Sequence, residues 1–217
     1  MKQDAILGGG HFAVRRLLNG EVFFILFLFG GAYKAPLEGM LPSFLDVTLM
    51  FMLLSMLYGA KNIFINRGIN KAMVIPFILM VGFIVITITS FLYVDINPYS
   101  VEKTVKLMTL TLWSYIGPFL LMNYSNPKQS LTRFFGTIVF LGVTMSLISL
   151  YNYFTSGLPS STVTMIGTDN YLPLGRVAAI TAILLVAYLF FVKKITLMKR
   201  LMIFTAALIT FYTLFTT

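Results

Sequence analysis

The chain has 217 residues, 58% of them hydrophobic and 11% charged, where soluble domains have about 45–50% and about 25%; a surface so poor in charge excludes an ordinary soluble enzyme. No cysteine and a single histidine, His11, are present, which excludes disulfides, zinc–thiolate centres, cysteine nucleophiles and multi-histidine metal sites. The net charge of +9 would point to nucleic acid in a soluble chain, but in a membrane protein the informative question is on which side the cations fall.

A helix crossing a bilayer takes about 20 apolar residues, and an unpaired charge at its centre costs at least about 2.5–3.5 kcal/mol, so charge-free intervals mark the predicted spans. The first is the weakest: 22–33 gives 12 charge-free residues and must recruit 17–21 to cross. Residues 44–60, mostly apolar after Asp46, form the second. The next three are the clearest. Lys71 and Asp95 enclose 23 uncharged residues, Lys106 and Lys128 enclose 21, and Arg133 and Asp169 enclose 35, of which 134–154 reads as helix. An outer connection over 155–172, rich in Ser, Thr and Gly and free of Lys and Arg, has a length that is uncommon unless functional or mobile. Arg176 and Lys193 enclose 16 residues, and 17 follow Arg200; these short sixth and seventh spans cross once flanking side chains snorkel.

Short cytoplasmic loops carry the excess of Lys and Arg, which orients the spans. With seven of them, Lys2, Arg15, Arg16, Lys61, Arg67, Lys71, Lys128, Arg133, Lys193, Lys194, Lys199 and Arg200 share one face, 12 in all, against Lys34, Lys103, Lys106 and Arg176 on the other. Were the first segment not to cross, the split would fall to 9 against 7. The sequence therefore predicts an all-α, polytopic integral membrane protein of about seven transmembrane helices, amino terminus cytoplasmic, with 1–217 forming a single membrane domain. The basic start is followed by bulky Phe-rich sequence without a small-residue cleavage site, which argues for a retained anchor and against a signal peptide. No 20–50 residue repeat or soluble domain is visible. Span seven runs to Thr217 with no polar tail, so the expectation is the amino-terminal part of a longer transmembrane protein.

Walker A, H-E-x-x-H, G-x-G-x-x-G and G-x-S-x-G motifs are absent. Asn123-Tyr124-Ser125 matches a glycosylation sequon, but at the cytoplasmic end of span four, where it is a chance match. Arg176, in Y-L-P-L-G-R-V-A-A-I, starts span six on the outer face, where the charge bias disfavours arginine. Its guanidinium suits a phosphate or diphosphate through paired hydrogen bonds; an arginine snorkelling to headgroups would sit in the same place. Pro173 and Gly175 give a compact turn that favours a positioned side chain. Lys103 and Lys106, three apart after D-I-N-P-Y-S-V-E, share a helix face and form a second candidate anion contact, unless Glu102 and Lys106, at i and i+4, simply pair. A lysine near a helix amino terminus opposes the dipole, so an acidic partner, Glu102 or a ligand, is expected. Asp95 and Asp169 are the outer carboxylates available as a general base, although each precedes an asparagine in sequence that reads as turn or cap. His11 reads as interfacial, and Thr87, Thr89, Ser114, Thr144 and Ser149 read as helix-packing hydroxyls. No catalytic residue, metal ligand or cofactor is assigned.

A short first span, N-P-Y-S-V-E-K-T-V-K-L entering a lysine-bearing fourth span, and an outer loop leading through P-L-G-R into the sixth together resemble the O-antigen ligase and polysaccharide polymerase superfamily of bacterial envelope enzymes. The resemblance spans the whole chain as the amino-terminal part of such proteins, which continue into further spans and a large outer loop. It implies a metal-independent glycosyltransferase of the bacterial inner membrane that moves a glycan from a polyprenyl diphosphate carrier onto a sugar or lipid acceptor at the outer face. Basic residues would face the carrier diphosphate and stabilise charge on the leaving group. Arg176 is the position that matches, with Lys106 and then Lys103 as weaker contacts. The implied partners are the lipid-linked glycan and membrane lipid, with no nucleic acid. A transporter or permease subunit is the competing class; ion-coupled carriers place ionisable groups near mid-membrane, and spans three to five have none. A noncatalytic membrane scaffold is the third.

Overall fold

A computed structural model describes residues 19–33, 46–66, 74–93, 97–122, 127–156, 172–192 and 195–216, and among these it contains helices and turns but no strand. In chain order come α1 (Gly20–Leu28), a 3₁₀ turn (Gly30–Ala32), α2 (Val47–Asn66), α3 (Val74–Ser90), α4 (Pro98–Lys106), a π-helical segment (Leu107–Thr111), α5 (Leu112–Leu121), α6 (Pro127–Ser156), α7 (Leu172–Phe191) and α8 (Leu197–Thr216). Helices α2, α6, α7 and α8 each hold a stretch long and apolar enough to cross a bilayer, and α3 is a shorter apolar helix of 17 residues. Four such helices among the described residues mark a multi-pass, all-helical membrane protein.

The helices overrun the charge-free intervals. Lys61 lies inside α2, Lys128 and Arg133 inside α6, and α7 begins at Leu172, ahead of Arg176. Charge limits where hydrocarbon can surround a helix, but helix ends follow local backbone chemistry. Pro98 and Pro127 are the first residues of their helices and Pro173 the second of its own, where the missing N–H removes no helical bond and the fixed φ is already helical.

The chain divides into two compact units, Met1–Phe24 with Leu49–Pro127 and Ile25–Thr48 with Lys128–Thr217. In the first, Ser55, Gly59 and Asn62 recur along α2 at four- and three-residue spacing and meet α5. Trp113 fills the space over Gly59, and the Asn62 amide donates to the carbonyl of Leu120 at 3.2 Å. Phe24 lies against Gly117 so closely that any side chain there would collide. Lipid tails are as apolar as leucine, so association rests on close contact of this kind. Phe23 adds ring contacts to Phe51 and Tyr58 at 6.0 and 5.8 Å.

In the second unit, Ser130, Phe134, Ile138, Leu141, Met145 and Ser149 make one buried face of α6. It meets the buried face of α7, which carries Leu174, Val177, Ala178, Thr181 and Leu185. The close approach centres on Gly142, where an added Cβ would run into the Thr181 hydroxyl. That hydroxyl donates across to the carbonyl of Ile138 at 3.3 Å. α8 packs along α7, burying Ala207, Thr210 and Thr213. The two threonine hydroxyls return to their own helix, at 3.1 Å to Ala206 and 3.0 Å to Ile209, so this interface holds no unpaired threonine donor.

Candidate functional site

The charged entry to α4 begins with its cap. Asn97 Oδ1 accepts from the Ser100 amide at 2.7 Å and Ser100 Oγ accepts from the Asn97 amide at 3.2 Å, a reciprocal capping box with Pro98 at the first helical position. The cap fixes how the following turns are presented: Glu102, Lys103 and Lys106 are all exposed. Lys106 Nζ donates to Glu102 Oε1 at 2.5 Å, and the Lys103 ammonium lies 5.1 Å from the centroid of the Tyr99 ring, within cation–π range. The hydrogen bond from Lys106, then its charge, and then that of Lys103 hold the Glu102 carboxyl below the usual glutamate range. Glu102 is thus the acidic partner that the lysines were expected to need. One net positive charge remains on the trio.

Arg176 is the fifth residue of α7. It is exposed, whereas Leu174, Val177 and Ala178 around it are buried. These three fix the rotation of the helix, which carries Arg176 off the packed face. The helix entry is also seated from below, because a Cβ on Gly31 of the 3₁₀ turn would lie 3.2 Å from Pro173 Cγ. The arginine therefore has an exposed head on a fixed base, about one turn from a helix end whose dipole favours anions. The sequence put it at the start of span six; it lies inside the helix, because α7 starts at Leu172.

The structure brings Lys103 and Lys106 together with Glu102 in the first unit, and Arg176 belongs to the second. Of the five hydroxyls read as packing groups, Ser149 is buried. Thr87, Thr89 and Ser114 donate to carbonyls three or four residues earlier, at 2.8, 3.0 and 2.7 Å, and Thr144 is half-buried. Glu21 is the residue that sequence reasoning passed over: it stands in the first turn of α1 and is 5% exposed. Its signal was an acid directly preceding an apolar run, and ionisable groups buried at such places are functional candidates by default. His11, Asp95, Asp169, Asn123-Tyr124-Ser125 and residues 157–171 of the outer connection lie outside the described residues. Among the described residues, no three His, Cys, Asp or Glu side chains are grouped as metal ligands.

An exposed guanidinium on a seated helix entry, and a capped turn carrying one excess positive charge, can each bind an anion by charge-assisted hydrogen bonds. No protein-family model, curated protein or solved structure matches the chain.

Proposed function

We propose that the chain is the membrane part of a glycan ligase or polymerase that transfers a glycan from a polyprenyl diphosphate carrier to a sugar or lipid acceptor on the outer face of the bacterial inner membrane. In this reading the membrane is crossed seven times with the amino terminus cytoplasmic. Among the described residues, α1, α2, α3, the continuous rod from α4 to α5, α6, α7 and α8 follow the order of the charge-free intervals, and the cations divide 12 to 4. A reporter inserted at Lys71 should read cytoplasmic and one at Ser161 periplasmic; the reverse pattern refutes the topology.

The observation that carries the chemistry is Arg176, exposed on a helix entry fixed by buried neighbours. During transfer the acceptor hydroxyl oxygen bonds to the anomeric carbon, the bond from that carbon to the diphosphate breaks, and the hydroxyl proton passes to a base. Negative charge grows on the departing diphosphate, where two parallel N–H donors from Arg176 stabilise it. Lys106 and Lys103 are the weaker contacts, since Glu102 and Tyr99 already engage them. Glycan transfer from purified lipid-linked donor tests the reading. Arg176→Lys keeps the charge but loses the planar fork, so transfer should fall substantially at matched protein levels. Near-normal transfer by Arg176→Lys favours headgroup snorkelling, and near-normal transfer by Arg176→Ala removes the residue from the site.

A transporter or permease subunit is favoured instead by one observation, the buried carboxyl of Glu21. That reading requires Glu21→Gln to abolish activity while Arg176→Ala spares it.

A further inference from the structure

In the second unit, α6, the later half of α7 and Ile203 of α8 border an open groove of about 570 Å³. Its walls are apolar, with Leu131 and Phe135 on one side and Leu184, Tyr188 and Phe191 on the other. The floor includes Gly136, where an added Cβ meets nothing within 4 Å. The groove lies along stretches of α6, α7 and α8 that are apolar enough to cross a membrane, so the medium that fills it is rich in hydrocarbon.

Charge at one mouth identifies the occupant. Lys128 precedes the groove residues Leu131, Thr132 and Phe135 by three, four and seven positions on α6, which is one helix face. Lys199 and Arg200 precede Ile203 by four and three positions on α8, again one face. All three cations are exposed, and α6, α7 and α8 contain no Asp or Glu. A groove that is apolar along its length and cationic at its mouth complements an amphiphile with a hydrocarbon tail and an anionic head. A neutral amphiphile leaves the cations unmatched. A second copy of the chain offers no carboxylate from α6, α7 or α8 to match them.

We propose that this groove holds an acyl chain of an anionic phospholipid, whose phosphate is bound by Lys128, Lys199 and Arg200. Native mass spectrometry of the detergent-purified protein, titrated with phosphatidylglycerol or phosphatidylcholine of matched chains, tests it. Phosphatidylglycerol should bind about tenfold more tightly, as expected for a few cations near a lipid phosphate. The triple variant K128Q/K199Q/R200Q should bind the two lipids equally, with phosphatidylcholine unchanged. Gly136→Phe should weaken both lipids several-fold by filling the floor, where its Cβ has open space. Gly82→Phe, at a second open position that does not line the groove, should change neither. Equal binding of both lipids by the unaltered protein, a preference that survives the triple variant, or an inert Gly136→Phe overturns the proposal. A dimer that dissociates in Gly136→Phe also overturns it, by giving the groove to a second copy.

Discussion

The indole nitrogen of Trp113 donates a 2.7 Å hydrogen bond to Oγ of Ser55, 58 residues earlier in the chain and buried beside it. Ser55 Oγ in turn donates to the carbonyl of Met52 at 2.7 Å, so one hydroxyl satisfies an indole donor and ties α5 to α2. Ser55→Ala leaves the indole N–H without that acceptor. Hydrogen bonds between membrane helices are worth about 0.6 kcal/mol on average and up to about 1.7. The variant should lose about 1 kcal/mol, read from reversible unfolding in mixed detergent. Trp113 is the single tryptophan, so its emission should change in the same variant; an unaltered spectrum and midpoint refute the contact.

Gly142 and Thr181 set the distance between α6 and α7 in the second unit. Gly142→Ala should destabilise the protein by about 1–3 kcal/mol, the usual cost of overpacking, because its Cβ collides with the Thr181 side chain. Adding Thr181→Gly removes the colliding atoms and should restore much of the loss. A double variant no more stable than Gly142→Ala alone would place the cause elsewhere.

Ser146 is fully buried, and its hydroxyl has no hydrogen-bond partner among the described residues. A buried hydroxyl in that condition opposes stability by about 1 kcal/mol or more. Ser146→Ala, which keeps the volume small, should therefore raise the unfolding midpoint. A lowered midpoint would mean that the hydroxyl is satisfied.

Glu102 should titrate below an ordinary glutamate, because Lys106 and Lys103 favour its charged form. A carboxyl with a lowered pKa gives its contribution above the ordinary glutamate value and loses it as pH falls through its own lower value. The pair with Lys106 is therefore intact at neutral pH and is lost as pH falls below the ordinary glutamate range. Carboxyl-labelled glutamate followed by NMR should show the Glu102 midpoint moving up in Lys106→Gln. No movement would show that the ion pair does not form in solution.

Much of this was legible in the residues themselves. Intervals without charge marked the apolar helical stretches, since hydrocarbon excludes unpaired charge, and four helices among the described residues are long and apolar enough to cross a membrane. The i, i+4 spacing gave the Glu102–Lys106 pair, since both ends lie on one short helix. Contacts set by tertiary packing were not legible. Nothing local in S-M-L-Y-G marks Ser55 as the acceptor for Trp113, and nothing in L-G-V-T marks Gly142 as the meeting point with Thr181.

Between Lys106 and Leu112 the rod takes five residues in π-helical form. A π turn holds one residue more than an α turn, so the rod's angular phase slips by about 100°. The capped end with Tyr99, Glu102 and Lys106 is therefore offset from the Trp113, Gly117 and Leu121 stripe that anchors α5. The compass bearing of the lysines is set by how many residues lie between 107 and 111, independently of which residues they are. A one-residue deletion there would swing the charged end around the rod while leaving its anchored half in register.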